Sequence, residues 1–209
     1  MQRQTQFMVV YDPLLRVLHW VLALSIVALI VTSQLAEAFE HGQYEETIWN
    51  LHVLAGYVLT SSLLARLLWG LVGPTSARWR DMWHPTVWKD SLKNRSLSRV
   101  HRRGHDPLAS LAYLLAYGVM ALMVATGLGL AASEFQTGPL AHWLGDIEWL
   151  EDVLGEPHEA GFILMLCFIS LHMAALVFHQ LNGERVAQSM LTGRQYRERM
   201  PEPESGRHP

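Results

Sequence analysis

The chain has 209 residues, half of them apolar and only 17% charged, where soluble domains carry about a quarter. A net charge of −3 names no partner by itself and gives no ground for nucleic acid. The single cysteine, Cys167, excludes an internal disulfide.

Taken in chain order, the apolar residues gather into runs that suit a bilayer, which needs about 20 residues of helix at about 1.5 Å of rise each. The opening MQRQTQFMVVYDPLLR leads straight into an uncharged run over 17–36. That run is too long for a signal peptide and lacks a small-residue cleavage site, so it is expected to be a retained helix over about 14–36. A short loop follows with Glu37, Glu40, Glu45 and Glu46 and no Lys or Arg. The second span, about 47–72, is interrupted only by Arg66.

The loop after it holds Arg78, Arg80, Lys89, Lys93, Arg95, Arg99, Arg102 and Arg103. Trp69, Trp79, Trp83 and Trp88 crowd the same interface as an aromatic belt would, and residues 77–89 are expected to lie along it. A third span covers about 107–133, with Pro107 in the first turn, where a helix tolerates it. In the next loop Leu140, Trp143, Leu144, Ile147, Leu150 and Leu154 recur at helical spacing, with Asp146, Glu148, Glu151 and Asp152 on other faces. This predicts an amphipathic helix on the outer surface, whose acidic side is either a solvated face or a dock for a basic partner. The fourth span covers about 158–181, and a tail over 184–209 carries Arg185, Arg194, Arg197, Arg199 and Arg207.

The loop and tail cations thus fall on one side and both acidic loops on the other, a segregation that core helices of a soluble bundle would not produce. The fold class is an all-α transmembrane four-helix bundle, one membrane domain over 1–183 with the tail 184–209. Because Lys and Arg stay inside, both termini and the second loop are placed in the cytoplasm, and the two acidic loops face the periplasm or exterior.

Of eleven histidines, His41, His84, His101, His105, His142 and His208 fall in loops or the tail, and His179 near the inner headgroups. His19, His52, His158 and His172 lie in or at the spans, where an ionisable group is costly and points to function. Helix direction sets their depth. His19 is just over a turn inside the inner end of the first span, and His52 is near the outer end of the second. His158 is at the outer mouth of the fourth, and His172, fourteen residues on, is about 21 Å deeper and on nearly the same face. Two levels result, His52 with His158 outside and His19 with His172 inside.

One such imidazole is most simply a hydrogen-bond partner across a helix interface. Four of them, matched in depth on different helices, suit bis-histidine ligation of two haems, low-spin centres with no open iron position. Without a C-x-x-C-H motif each haem would be held by its axial ligands and packing alone. Zinc suits the residues less well, since each level offers two ligands and structural zinc takes four. Gly56 and Gly161 either let a porphyrin approach the backbone or serve close helix packing. Arg66 and Arg16 either snorkel to the headgroups or pair with haem propionates.

The segments VYDPLLRVLHW, LHVLAGYVLTSSLLARLLWGLVGP, RRGHDPLASL, ATGLGL and HEAGFILMLCFISLH resemble, in order, the bacterial cytochrome b561 and nickel-hydrogenase b-type cytochrome superfamily. The resemblance covers nearly the whole chain outside the loops. It implies two haems b, with His19, His52, His158 and His172 as axial ligands, and electron exchange between membrane quinone and a periplasmic partner such as a c-type cytochrome or a hydrogenase. Hydrogenase subunits often carry an additional helix that this chain lacks. The function expected is that of an electron-transfer subunit rather than a stand-alone enzyme. A quinone-linked oxidoreductase acting on a small species such as superoxide at the outer haem is the alternative, and a haem-free transporter or channel is a third.

Overall fold

The computed structural model describes residues 5–9, 11–94, 107–147, 149–183 and 186–198. Arg95, Arg99, Arg102, Arg103, Glu148, Arg185, Arg199 and Arg207, and with them His101, His105 and His208, lie outside the described residues. In chain order come strand β1 (Thr5–Val9), helix α1 (Pro13–Ala38), helix α2 (Glu45–Val72), two 3-10 turns (Thr75–Ala77 and Trp79–Asp81) and helix α3 (Pro85–Asn94). Helix α4 (Pro107–Ser133), the single turn α5 (Ala141–Leu144), helix α6 (Trp149–Leu181), helix α7 (Val186–Thr192) and strand β2 (Arg194–Glu198) complete it.

Four of these helices, α1, α2, α4 and α6, are long and apolar enough to cross a membrane. The expected four-helix architecture is therefore the observed one. Each has a narrow buried stripe and a broad apolar exterior: Leu24, Leu68, Leu171 and Leu181 are all exposed, on a scale that marks contact with lipid rather than water. The buried residues of α1, Leu15, Leu18, Leu22 and Ser25, and those of α2, Leu59, Ser62, Leu63, Arg66 and Gly70, recur at helical spacing and so define one face apiece.

The helices pair as two antiparallel hairpins, α1 with α2 and α4 with α6, and the hairpins meet chiefly through α2 and α4. At mid-bundle Leu22, Leu59, Leu63, Met120 and Met165 close the space between them, backed by Ile26, Tyr117 and Phe168. In lipid this waist rests on dispersion and close approach, because expelling helices from hydrocarbon into hydrocarbon gains nothing. Met165 lies seven residues from both His158 and His172, about 10 Å of rise either way. This apolar waist thus lies midway between the two histidine levels.

The end where α1 starts and α2 finishes carries both described tail elements and will be called the basic end; the opposite one is the acidic end. At the basic end Asp12 caps α1, its Oδ1 accepting the Leu15 N–H at 2.9 Å and the Trp69 indole N–H at 3.1 Å. One carboxylate therefore fixes the start of α1 to the end of α2. The tail does not hang free. β2 pairs antiparallel with β1, and Gly193, at φ +74°, turns the chain from α7 into that ribbon. A Cβ there would come 3.1 Å from the Tyr11 carbonyl oxygen, which with its left-handed backbone reserves the position for glycine.

At the acidic end the segment expected to form a surface helix is divided. Residues 141–144 make one turn, while Leu150 and Leu154 belong to the first turns of α6. Pro157 sits inside α6. It withholds an N–H from the Val153 carbonyl without ending the helix.

Candidate cofactor site

His52, two turns into α2, and His158, directly after Pro157 in α6, line one cavity of about 700 Å³ that lies between the hairpins at the acidic end. Each is also tied within its own hairpin. His52 Nδ1 is 3.0 Å from the Thr32 hydroxyl of α1, and His158 Nδ1 is 2.8 Å from the Thr126 hydroxyl of α4. Trp49 adds an edge-on ring contact to His52, with centroids 5.6 Å apart.

The cavity walls suit a flat apolar group. Gly56 faces open space, its nearest potential contact being the Leu29 side chain at 4.0 Å, and Gly127 supports His158 so closely that a Cβ would stand 3.1 Å from the ring's Cε1. Both glycines line the cavity along with Leu29, Phe162 and Met165. Its lining also includes Glu37, Glu40, Glu45, Glu134 and Glu159. Glu134, just past the end of α4, has its carboxyl raised above the usual range by partial burial and by the neighbouring Glu151. The Tyr57 hydroxyl is buried without a partner against Gly138 in the same lining.

The second pair lies at the basic end. His19, two turns into α1, and His172, seven residues past Met165 in α6, are the histidines at this level. His19 has Trp20 edge-on at 5.7 Å, and His172 stacks on Phe168 at 5.8 Å with planes 15° apart. Arg66 points to this end from α2 and is only 4% exposed. Its guanidinium lies 4.5 Å from the Trp79 ring centroid and 5.5 Å from that of Tyr117, while Nε and Nη1 have no hydrogen-bond partner. Arg16 gives one N–H to the Leu191 carbonyl at 2.7 Å and keeps its buried Nε unpaired.

Several alternatives left open by the sequence are narrowed by these contacts. Arg66 does not snorkel: it shares the buried face of Leu59, Leu63 and Gly70, so its side chain enters the bundle, where Trp79 folds over it. Gly70 makes room for that indole, since a Cβ would collide with it, and Trp79 is therefore packed inward rather than standing in an aromatic belt. Arg16 does not snorkel either, being bonded to the tail. Gly161 serves helix packing, because a Cβ there would run into Met123 of α4. Of the remaining histidines, His41 is largely solvated beside Glu40, and His179 lies edge-on to Phe178. Among the described residues no three His, Cys, Asp or Glu converge as a metal cluster.

Thr32, Thr126, Gly127, Tyr57 and Trp79 escaped the sequence reading of the site. Gly127 was within reach, as one of two glycines in ATGLGL, and Gly70 one turn beyond Arg66 signalled that the cation's face is a packed one.

A family model described as prokaryotic cytochrome b561 matches residues 10–193. The chain is 30% identical to a probable Ni/Fe-hydrogenase B-type cytochrome subunit of Azotobacter chroococcum mcd 1, covering 78% of each chain. It is 28% identical to the subunit of that name from Azotobacter vinelandii, over 88% of this chain and 86% of the relative. With the probable Ni/Fe-hydrogenase 1 B-type cytochrome subunit of Escherichia coli K12 it shares 24% identity over 88% of each. The chain belongs to the prokaryotic cytochrome b561 family, membrane cytochromes that bind b-type haem and transfer electrons.

Proposed function

We propose that this member of the prokaryotic cytochrome b561 family holds two haems b, one between His52 and His158 and one between His19 and His172, and passes electrons between membrane quinone and a redox protein outside the membrane. The observation that carries the reading is the meeting of histidines from different hairpins at two levels separated by an apolar waist. When bound, each haem supplies a one-electron carrier whose iron is saturated by two imidazoles.

The residues present fit that group. At the acidic end Gly56 and Gly127 leave the cavity wall flat beside the histidines. At the basic end the partnerless N–H groups of Arg66 and Arg16 offer charge-assisted hydrogen bonds to propionates. A cation at the centre of a membrane helix costs about 2.5–3.5 kcal/mol. The faces of Trp79 and Tyr117 offset part of such a cost, and a propionate would give Nε and Nη1 the partner they lack. The waist of Leu22, Leu59, Leu63, Met120 and Met165 keeps water and ions from passing between the levels. That disfavours a channel.

Loop charge orients the bundle with its basic end in the cytoplasm and its acidic end in the periplasm of an inner membrane. The partner then meets the acidic end, where the surface carboxylates Asp146, Glu151 and Asp152 dock a basic face. The curated relatives are named as hydrogenase subunits, so a hydrogenase is the first partner to test, with a c-type cytochrome next. Oxidation of superoxide at the outer level is the weaker alternative, because five glutamates in the cavity lining repel an anion.

The test is a reduced-minus-oxidised spectrum of the purified full chain with haem counted as pyridine haemochrome. Two haems per chain are expected, one remaining in His52→Ala or His158→Ala and one in His19→Ala or His172→Ala. A colourless wild-type chain, or variants that lose both haems or neither, would overturn the assignment.

A further inference from the structure

We infer that Thr32 and Thr126 are positioning residues of the outer centre, each hydroxyl holding one axial histidine in the tautomer and orientation that present its Nε2 to the iron. The inference rests on the proposed bis-histidine reading and adds two residues to it from helices that supply no ligand at that level.

A threonine hydroxyl has one hydrogen to give and two lone pairs to accept with. Thr32 Oγ1 lies 2.7 Å from the Ala28 carbonyl one turn back and 3.1 Å from that of Leu29, so its hydrogen is committed to the helix backbone. Thr126 Oγ1 lies 2.8 Å from the Leu122 carbonyl and 3.3 Å from that of Met123, with the same consequence. Each hydroxyl meets its histidine as an acceptor. At 3.0 Å and 2.8 Å, Nδ1 must then be the ring atom that carries hydrogen.

A neutral imidazole with its proton on Nδ1 has its lone pair on Nε2 alone. The two threonines therefore select the same nitrogen of both rings as ligand. They also restrain the ring planes, His52 sharing its hold with a backbone hydrogen bond to Leu29 and His158 held by Thr126. Hydrogen bonding of the distal N–H makes a ligating imidazole a stronger donor, and loss of such a partner typically costs 10–100-fold in affinity.

The two levels differ here. Among the described residues the inner pair has no equivalent hydroxyl: His19 and His172 are held by the rings of Trp20 and Phe168. The stronger donation at the outer level favours ferric iron there, so the threonines set the outer potential below the value the same ligands would give without them.

Thr32→Val and Thr126→Val keep the shape and remove the acceptor, and Thr32→Ser and Thr126→Ser keep it. Optical redox titration of the purified full chain, with haem counting and low-spin EPR, reads the effect. Each valine variant is expected to raise one of the two one-electron waves by about tenfold in ferric-to-ferrous preference, about 59 mV, or to lose that haem alone. The serine variants should retain the wild-type wave. Valine variants that overlay the wild type, or serine variants that lose as much as valine, would overturn this inference while two haems in the wild type leave the bis-histidine reading standing. A wild-type chain without haem would overturn both.

Discussion

Gly127→Ala probes the outer centre at its tightest contact. The added Cβ would stand 3.1 Å from His158 Cε1, where carbon atoms prefer about 3.5–4.0 Å. The ring must yield by about 0.4 Å or more, close to the tolerance of about 0.5 Å within which a functional constellation still works. Two opposing terms act on stability. Overpacking costs about 1–3 kcal/mol, and replacing glycine in a helix recovers about 0.5–1 kcal/mol. Melting should therefore fall by only about 1 kcal/mol, whereas the strain falls on His158, the proposed ligand of the outer haem. Each 1.4 kcal/mol transferred to that bond is about tenfold in haem affinity. Gly118→Ala on the same helix is the control, because no heavy atom lies within 4 Å of its Cβ position. Haem per chain after dilution, with the low-spin EPR signal, distinguishes the two. If Gly127→Ala matches Gly118→Ala in both, the contact between Gly127 and a ligating His158 is not what shapes this site.

Arg66→Met removes the cation beneath Trp79 and Tyr117. A nearby positive charge favours the reduced, more negative haem, so the inner wave should move to lower potential with the outer one fixed; movement of the outer wave alone would contradict the propionate role. Asp12→Ala takes away both the cap of α1 and the tie to Trp69. Thermal unfolding should show a loss of about 2 kcal/mol, about 1 from the cap and about 1 from the indole hydrogen bond, and Asp12→Asn should recover most of it. Glu134 binds its proton more tightly in the folded chain than in the unfolded one. Its contribution is therefore complete below the ordinary carboxylate range and is lost as pH rises through the raised value. Glu134→Gln should melt at a more constant temperature across that window, and parallel profiles for variant and wild type would refute the assignment.

The spans and the two histidine levels were legible because both depend on local arithmetic: length, hydropathy and 1.5 Å per residue. What escaped depends on which faces meet. Thr32 and Thr126 look like any threonine in a membrane helix, bonded back to its own carbonyls, and only the approach of the neighbouring helix gives the spare lone pair a histidine. The ribbon of β1 and β2 joins residues near opposite ends of the sequence, and no local pattern announces such a pairing. Arg66 was readable in principle from Leu59, Leu63 and Gly70 at helical spacing.

The hairpin organisation gives the proposed cofactors a second task. Within each hairpin the helices pack along their length, but between hairpins contact is concentrated on α2 and α4, so α1 and α6 approach each other with little direct packing. His19 is on α1 and His172 on α6, while His52 and His158 join α2 to α6. Each iron would therefore bond one hairpin to the other where side chains hold them least, once on either side of the apolar waist. α6, the least buried of the four spans, is held by α4 within its own hairpin, and the two proposed bonds would be its main ties to the other hairpin. Haem loss should loosen α6 first, and protease sensitivity near Asn182 and Gly183 at its end should rise in His172→Ala more than in His52→Ala. Equal sensitivity in the two variants would show that the hairpins are held by their own contacts.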